Sequence, residues 1–180
     1  LRHANLAGPS PHGGVILAMG DDHTGESSTT LHQSEFALMD ASIPILSPAG
    51  VQEIIDYSIV GWSLSRFASV WVGIKCVKDT VEVTEVVDGS PNRVKLTFPN
   101  IDDSDKIHIS SKDTPVLQEE KLHALKLPAV HKFSKINNID RIDFKKSSSK
   151  IGIVSAGKSW LDTLQALELL GIDRDFAQKI

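Results

Sequence analysis

Between residues 12 and 35 the chain gathers most of what could do chemistry. Asp21, Asp22, His23, Glu26, His32 and Glu35 lie within sixteen residues, with His12 upstream. Imidazole and carboxylate together can hold a metal ion, and His32 and Glu35 are three apart, the spacing of metal pairs on one helix face. Against a metal, the remaining spacing is irregular, and adjacent Asp21 and Asp22 do not readily aim at one ion. A single acidic loop more often stays solvated or caps helices, so the expectation is no metal. Ser27, Ser28, Thr29 and Thr30 suit turns and helix N-caps. A Ser–His–acid triad has the residue types, but no G-x-S-x-G elbow positions a nucleophile.

A second pattern lies near the other end. Gly152-Ile-Val-Ser-Ala-Gly157-Lys158-Ser159 satisfies G-x-x-x-x-G-K-[ST] and precedes a helical stretch. A phosphate loop needs its strand to end before the first glycine. Here Gly152, Ile153 and Val154 read as strand, leaving only Ser155 to Gly157 as turn. A P-loop nucleotide-binding protein is therefore kept only as an alternative reading.

The elements that must position these residues follow from hydrophobic pattern. Residues 1–14 hold three Gly and two Pro and read as loop. Val15 to Met19 and Ile43 to Leu46 are short apolar runs, and Val70 to Val77 (VWVGIKCV) is apolar on both faces. His32 to Asp40 fits a short helix. Pro48 opens a longer helix to about Phe67, with Ile54, Ile55, Ile59 and Trp62 near 3.6 spacing. Strand, helix, strand, helix, strand with apolar strands predicts an α/β parallel sheet covered by helices on both faces. The polar loop would follow a strand and so sit at the carboxyl edge, where open α/β sheets bind ligands.

Beyond Asp79 the texture changes. Residues 81–87 and 94–98 show strand-like spacing around turn formers, and 100–113 reads as an exposed acidic excursion. Leu117 to Ile136 predicts a helix kinked near Pro128. Residues 145–150 (KKSSSK) are the best linker. Ile151 to Val154 then predicts a strand and Lys158 to Leu170 a helix with Gly171 at C′. Trp62, Trp71 and Trp160 read as core or interface aromatics, and Cys76 as a small buried hydrophobe. His123 and His131 read as surface or packing residues.

Composition bounds the function. The 180 residues carry 19 Lys+Arg against 23 Asp+Glu, a formal charge of −4, so no basic excess calls for nucleic acid or an anionic membrane. The single cysteine cannot form an internal disulfide, nor build a thiolate zinc or iron–sulfur cage by itself. No apolar run approaches the roughly 20 residues of a membrane helix. A reducing, cytoplasmic setting is expected. A start at Leu1, already inside a Gly-rich stretch, suggests a piece of a longer protein.

Three runs carry a family resemblance: GDDHTGESSTTLHQSEFAL (Gly20 to Leu38), IPILSPAGVQEIIDY (Ile43 to Tyr57) and VWVGIKCVKDTVE (Val70 to Glu82). With RHANLAGPSPHGGV at the start and SAGKSWLDTLQALELLGID near the end, the chain resembles the indolepyruvate ferredoxin oxidoreductases. These are 2-oxoacid:ferredoxin oxidoreductases, and the likeness is to their long fused bacterial form. It is weakest over 86–112.

The resemblance implies an enzyme that binds thiamine diphosphate and Mg2+ between two domains and oxidatively decarboxylates an arylpyruvate. It implies electron transfer through a [4Fe–4S] cluster to ferredoxin, and an acyl-CoA made with coenzyme A. Residues 1–85 would be the carboxyl half of the pyrimidine-side domain, 86–150 a connecting region with strands and a long helix, and 151–180 the start of a transketolase-C-like domain. The diphosphate-side domain, the cluster cysteines and the glutamate that meets the pyrimidine would lie elsewhere, so the piece alone would be inert. Glu35 does not fall on that glutamate's position, and catalytic residues stay unassigned. The resemblance places His32 at about the position of a basic residue that holds the substrate carboxylate in related pyruvate enzymes, with His3 or Asn5 nearby. Implied partners are the 2-oxo acid, coenzyme A, ferredoxin, the remaining domains and a second copy in a homodimer. A non-catalytic α/β interaction domain is the other alternative.

Overall fold

In a computed structural model, described for residues 1–102, 106–144 and 150–173, three strands form one parallel sheet. They are β1 (Ile16–Asp21), β2 (Ile45–Leu46) and β3 (Val72–Val77), in the order β1-β3-β2. Ile16 pairs with Val72 and Asp21 with Val77, while Ile45 pairs with Gly73. The helices of this unit are α1 (Arg2–Ala7), α2 (Glu35–Asp40), α3 (Val51–Ala68) and α4 (Lys78–Val81). Helices α5 (Pro115–Lys121), α6 (Leu127–Ile136) and α7 (Lys158–Leu169) follow.

Strand alternation divides the core in two. Val72 and Ile74 point toward α3 and, behind it, α6, where Leu64, Val130 and Phe133 complete the larger cluster. Gly73 faces the opposite way, with Met19, toward Leu38 of α2. The predicted parallel sheet with helices on both faces is thus the architecture found. The predicted strands sit where the apolar runs place them, shifted toward their carboxyl ends by one or two residues.

Four expectations change. The opening segment is a helix, not a loop throughout. It stops at Gly8, whose φ of +75° and ψ of 178° suit glycine alone. Residues 81–87 and 94–98 form no strands. Val81 ends α4, Val86 is fully exposed, and Val94 and Leu96 pack on the core as irregular chain. β-branched residues favour extended backbone, but a strand also needs an edge to pair with, and none is met here. The 100–113 excursion is anchored by Ile107, which is 2% exposed. Ile151 to Val154 is exposed and irregular.

The kink near Pro128 has a defined form. Proline cannot donate to the carbonyl four residues back, and the ladder widens to a π turn over Leu122–Lys126 just before it. That turn buries Lys126, whose Nζ donates to the carbonyls of Leu6 (2.8 Å) and Ala7 (3.2 Å) at the end of α1. Gly171 takes φ +70°, and the N–H groups of Gly171 and Ile172 close α7 onto Glu168 and Leu167, as expected for C′. Most of the linker, 145–149, lies outside the described residues. Among the described residues, no helix is long and apolar enough to cross a membrane.

Candidate functional site

The carboxyl ends of β1 and β3 bring together residues far apart in sequence. Asp21 closes β1 and shares a sheet face with Met19, Gly73 and Lys75. Lys75 stands in the central strand, where an unpaired cation would be costly. Its Nζ donates to the Glu35 carboxylate, in the first turn of α2, with side chains only 17% and 33% exposed. Asp21 accepts from Ser34 twice, from Oγ at 2.7 Å and from the backbone N–H at 3.2 Å. His23 completes the group: ligand atoms of Asp21, His23 and Glu35 all lie within 4.8 Å of one another. The spacing suits one cation, and the Lys75 ammonium already supplies a positive charge at Glu35.

Asp22 does something different from its neighbour. Its carboxylate sits inside the loop and accepts from the N–H groups of Glu26 (3.2 Å), Ser27 (2.8 Å) and Ser28 (2.8 Å), and from Ser28 Oγ (3.0 Å). The Ser28 backbone N–H leads in holding its pKa down, to about 2. The loop is wound around this anion. His32 closes it: its backbone N–H donates to the Asp22 carbonyl, and Nε2–H to the Gly20 carbonyl at 2.9 Å. Nδ1 faces Ser28 Oγ (3.2 Å) and the Thr30 carbonyl (3.4 Å). These carbonyls, Gly20 first, raise the His32 pKa. His32 lies outside α2, which starts at Glu35, so the two do not share a helix face.

His3 and Asn5 are not brought to His32. Asn5 is fully buried and accepts from the Trp71 N–H at 2.8 Å, while its Nδ2 donates to the carbonyls of Ala41 and Ser42, both at 2.9 Å. Trp71 precedes β3, so Asn5 knits the amino edge of the sheet. His32 binds Gly20 near the other edge, roughly 17 Å away along a strand of five rises. His3 is exposed on the same short helix as Asn5.

Beside Glu35 a cavity of about 830 Å³ opens between α2, the start of α3 and the lead into α7. Arg141 crosses it. Its Nη2 donates to Glu53 of α3 at 2.9 Å, and its guanidinium carbon lies 4.4 Å from the Trp160 ring centroid. Trp160 Nε1–H donates to Asp143 at 2.7 Å.

The phosphate-loop pattern has a different geometry from the expected one. Its first three residues are not a strand, and Lys158 Nζ donates to both oxygens of Asp162, one turn on, at 2.8 Å.

Residues 141–180 match the model of the indolepyruvate oxidoreductase domain. Over 169 residues, 90% of this chain and 26% of the relative, the sequence is 27% identical to indolepyruvate oxidoreductase subunit IorA of Pyrococcus horikoshii. The IorA subunits of Pyrococcus abyssi and Archaeoglobus fulgidus are 26% and 24% identical over 166 and 168 residues. The chain is thus similar, at low identity, to indolepyruvate oxidoreductase subunits. It spans about a quarter of the length of these curated proteins. No solved structure matches it. The domain model covers the Arg141–Trp160 side of the cavity, and the oxidoreductase subunits extend the likeness over the sheet and its carboxyl edge.

Lys75, Arg141 and Asp143 join the site only in the folded chain. Lys75 had a signal: one charge within VWVGIKCV, a run that otherwise reads as buried on both faces. Arg141 and Asp143 had none, because only folding sets them against Glu53 and Trp160.

Proposed function

We propose that the chain is the part of a thiamine-diphosphate-dependent 2-oxoacid:ferredoxin oxidoreductase that walls one side of its substrate site. One juxtaposition carries the reading. The ionic group of Lys75, Glu35, Asp21 and His23 and the neighbouring cavity share the carboxyl edge of a parallel sheet, in a chain resembling indolepyruvate oxidoreductase subunits along 90% of its length. The reaction is the oxidative decarboxylation of an arylpyruvate to its acyl-CoA, with electrons leaving to ferredoxin. Residues 1–85 form the carboxyl half of the pyrimidine-side unit, 86–150 connect, and 151–180 begin the next domain. His32 contributes by fixing the loop that borders the site, and any contact with the substrate carboxylate is made from that position.

Thiamine diphosphate supplies the carbanion chemistry of such enzymes when bound. The described residues do not by themselves fit it. Glu35 is paired with Lys75 and Asp21 is bonded to Ser34, and the resemblance puts the glutamate that meets the pyrimidine ring and the magnesium ligands outside this chain. Cys76 offers one of the four thiolates a [4Fe–4S] cluster takes. We therefore assign both cofactors to the rest of the enzyme, a cytoplasmic homodimer in this reading.

The test uses the full-length gene product with any partner subunit. Indolepyruvate should be oxidised in a reaction requiring coenzyme A and reducing ferredoxin or a viologen dye. Failure to oxidise any 2-oxo acid overturns the proposal.

A further inference from the structure

We infer that the cavity between α2, α3 and the lead into α7 receives the aromatic side chain of the 2-oxo acid, with Trp160 as its specificity-determining wall. This rests on the proposed function and adds where the ring goes. About 830 Å³ is within the range of small-molecule sites. Two large apolar side chains of α2, Phe36 and Met39, line it while 74% and 64% exposed, a costly arrangement unless something apolar covers them.

Trp160 is held before any ligand arrives. Arg141 lies 4.4 Å from the ring centroid, and Asp143 accepts from the indole N–H at 2.7 Å. A ring fixed by stacking and by its own N–H loses little freedom on binding, which favours a flat aromatic partner.

Charge sets the orientation. Glu35, Glu53, Asp140 and Asp143 line the cavity, and Arg141 is already bonded to Glu53. Among the described residues this wall repels a carboxylate. An arylpyruvate therefore enters ring first, its acid end left outside. Carboxylates in the wall also accept an indole N–H, so indole should be preferred to phenyl.

The experiment measures kcat/KM in the full-length holoenzyme for indolepyruvate, phenylpyruvate and pyruvate. Trp160→Ala should lower the indolepyruvate value at least about tenfold while pyruvate stays within about twofold, and Trp160→Phe should restore most of the loss. An equal fall for all three substrates, or no fall, overturns the inference. Calorimetric titration with indole-3-acetate separates the two claims. If the wild type oxidises no 2-oxo acid, the functional reading fails. Saturable binding lost in Trp160→Ala would still uphold the pocket, and absence of binding to the wild type would remove it.

Discussion

Lys75 in the central strand and Glu35 at the start of α2, forty residues apart, form the ion pair that joins the carboxyl edge of the sheet to its covering helix. Removing one partner leaves the other charge half-buried beside Asp21. Lys75→Met should therefore cost about 1–3 kcal/mol, less than for a fully buried pair because both groups keep some solvent. The double variant Lys75→Met/Glu35→Gln should recover part of that loss. Urea denaturation of the four proteins gives the coupling, and additive losses would show that the pair contributes nothing of its own.

Asp22 and His32 should give the loop opposite pH limbs. The folded Asp22 pKa of about 2 lies below the ordinary aspartate value of 3.8, so its contribution is complete above about pH 4 and lost as pH falls toward 2. Asp22→Asn should flatten that acid limb. The His32 pKa is raised above 6.5, so its contribution is complete below that value and lost as pH rises through the folded pKa. His32→Ala should flatten the slope on the neutral side and leave the acid limb alone. Stability measured from pH 2 to 8 in the three proteins resolves both.

Lys126 should matter to a helix 120 residues away. It supplies the donor for the last carbonyls of α1, and burial leads in lowering its pKa to about 8. Lys126→Met keeps most of the apolar stem but leaves the Leu6 and Ala7 carbonyls without that donor, a loss of about 1–3 kcal/mol. Faster amide exchange confined to α1 and the π turn is the expected signature. Exchange unchanged in α1 would mean that solvent replaces the donor freely.

What the sequence made legible was what depends on local pattern. The apolar runs at Val15, Ile43 and Val70, the long helix after Pro48, the break near Pro128 and the stop at Gly171 each follow from a few neighbouring residues. What it hid depends on distance. Asn5 is an ordinary polar residue until Ala41, Ser42 and Trp71 surround it, and the Asp21–Glu35–Lys75 group exists only once β1 and β3 pair. The β-branched residues after Asp79 misled because propensity cannot say whether a sheet edge lies within reach.

Two glycines should respond differently to the same substitution, which tests whether backbone or side chain sets the packing. At Gly73 an added Cβ would lie 2.4 Å from Leu38 Cδ2, the end of a side chain that can move. Gly73→Ala should destabilise by about 1–3 kcal/mol through overpacking, and Leu38→Ala by about 2–5 through a cavity. The double variant should be less destabilised than the sum, because the new methyl occupies part of the space Leu38 vacates. At Gly8 the added Cβ would meet the Ser69 backbone carbonyl oxygen at 2.1 Å, with φ already at +75°. No side-chain change moves that oxygen, so Gly8→Ala should cost at least about 2 kcal/mol and stay unrescued by Ser69→Ala, which removes only the hydroxyl. Thermal unfolding of the set decides the matter: rescue at Gly8 would show that the hydroxyl of Ser69, 2.6 Å from the same position, and not its carbonyl, enforces glycine there.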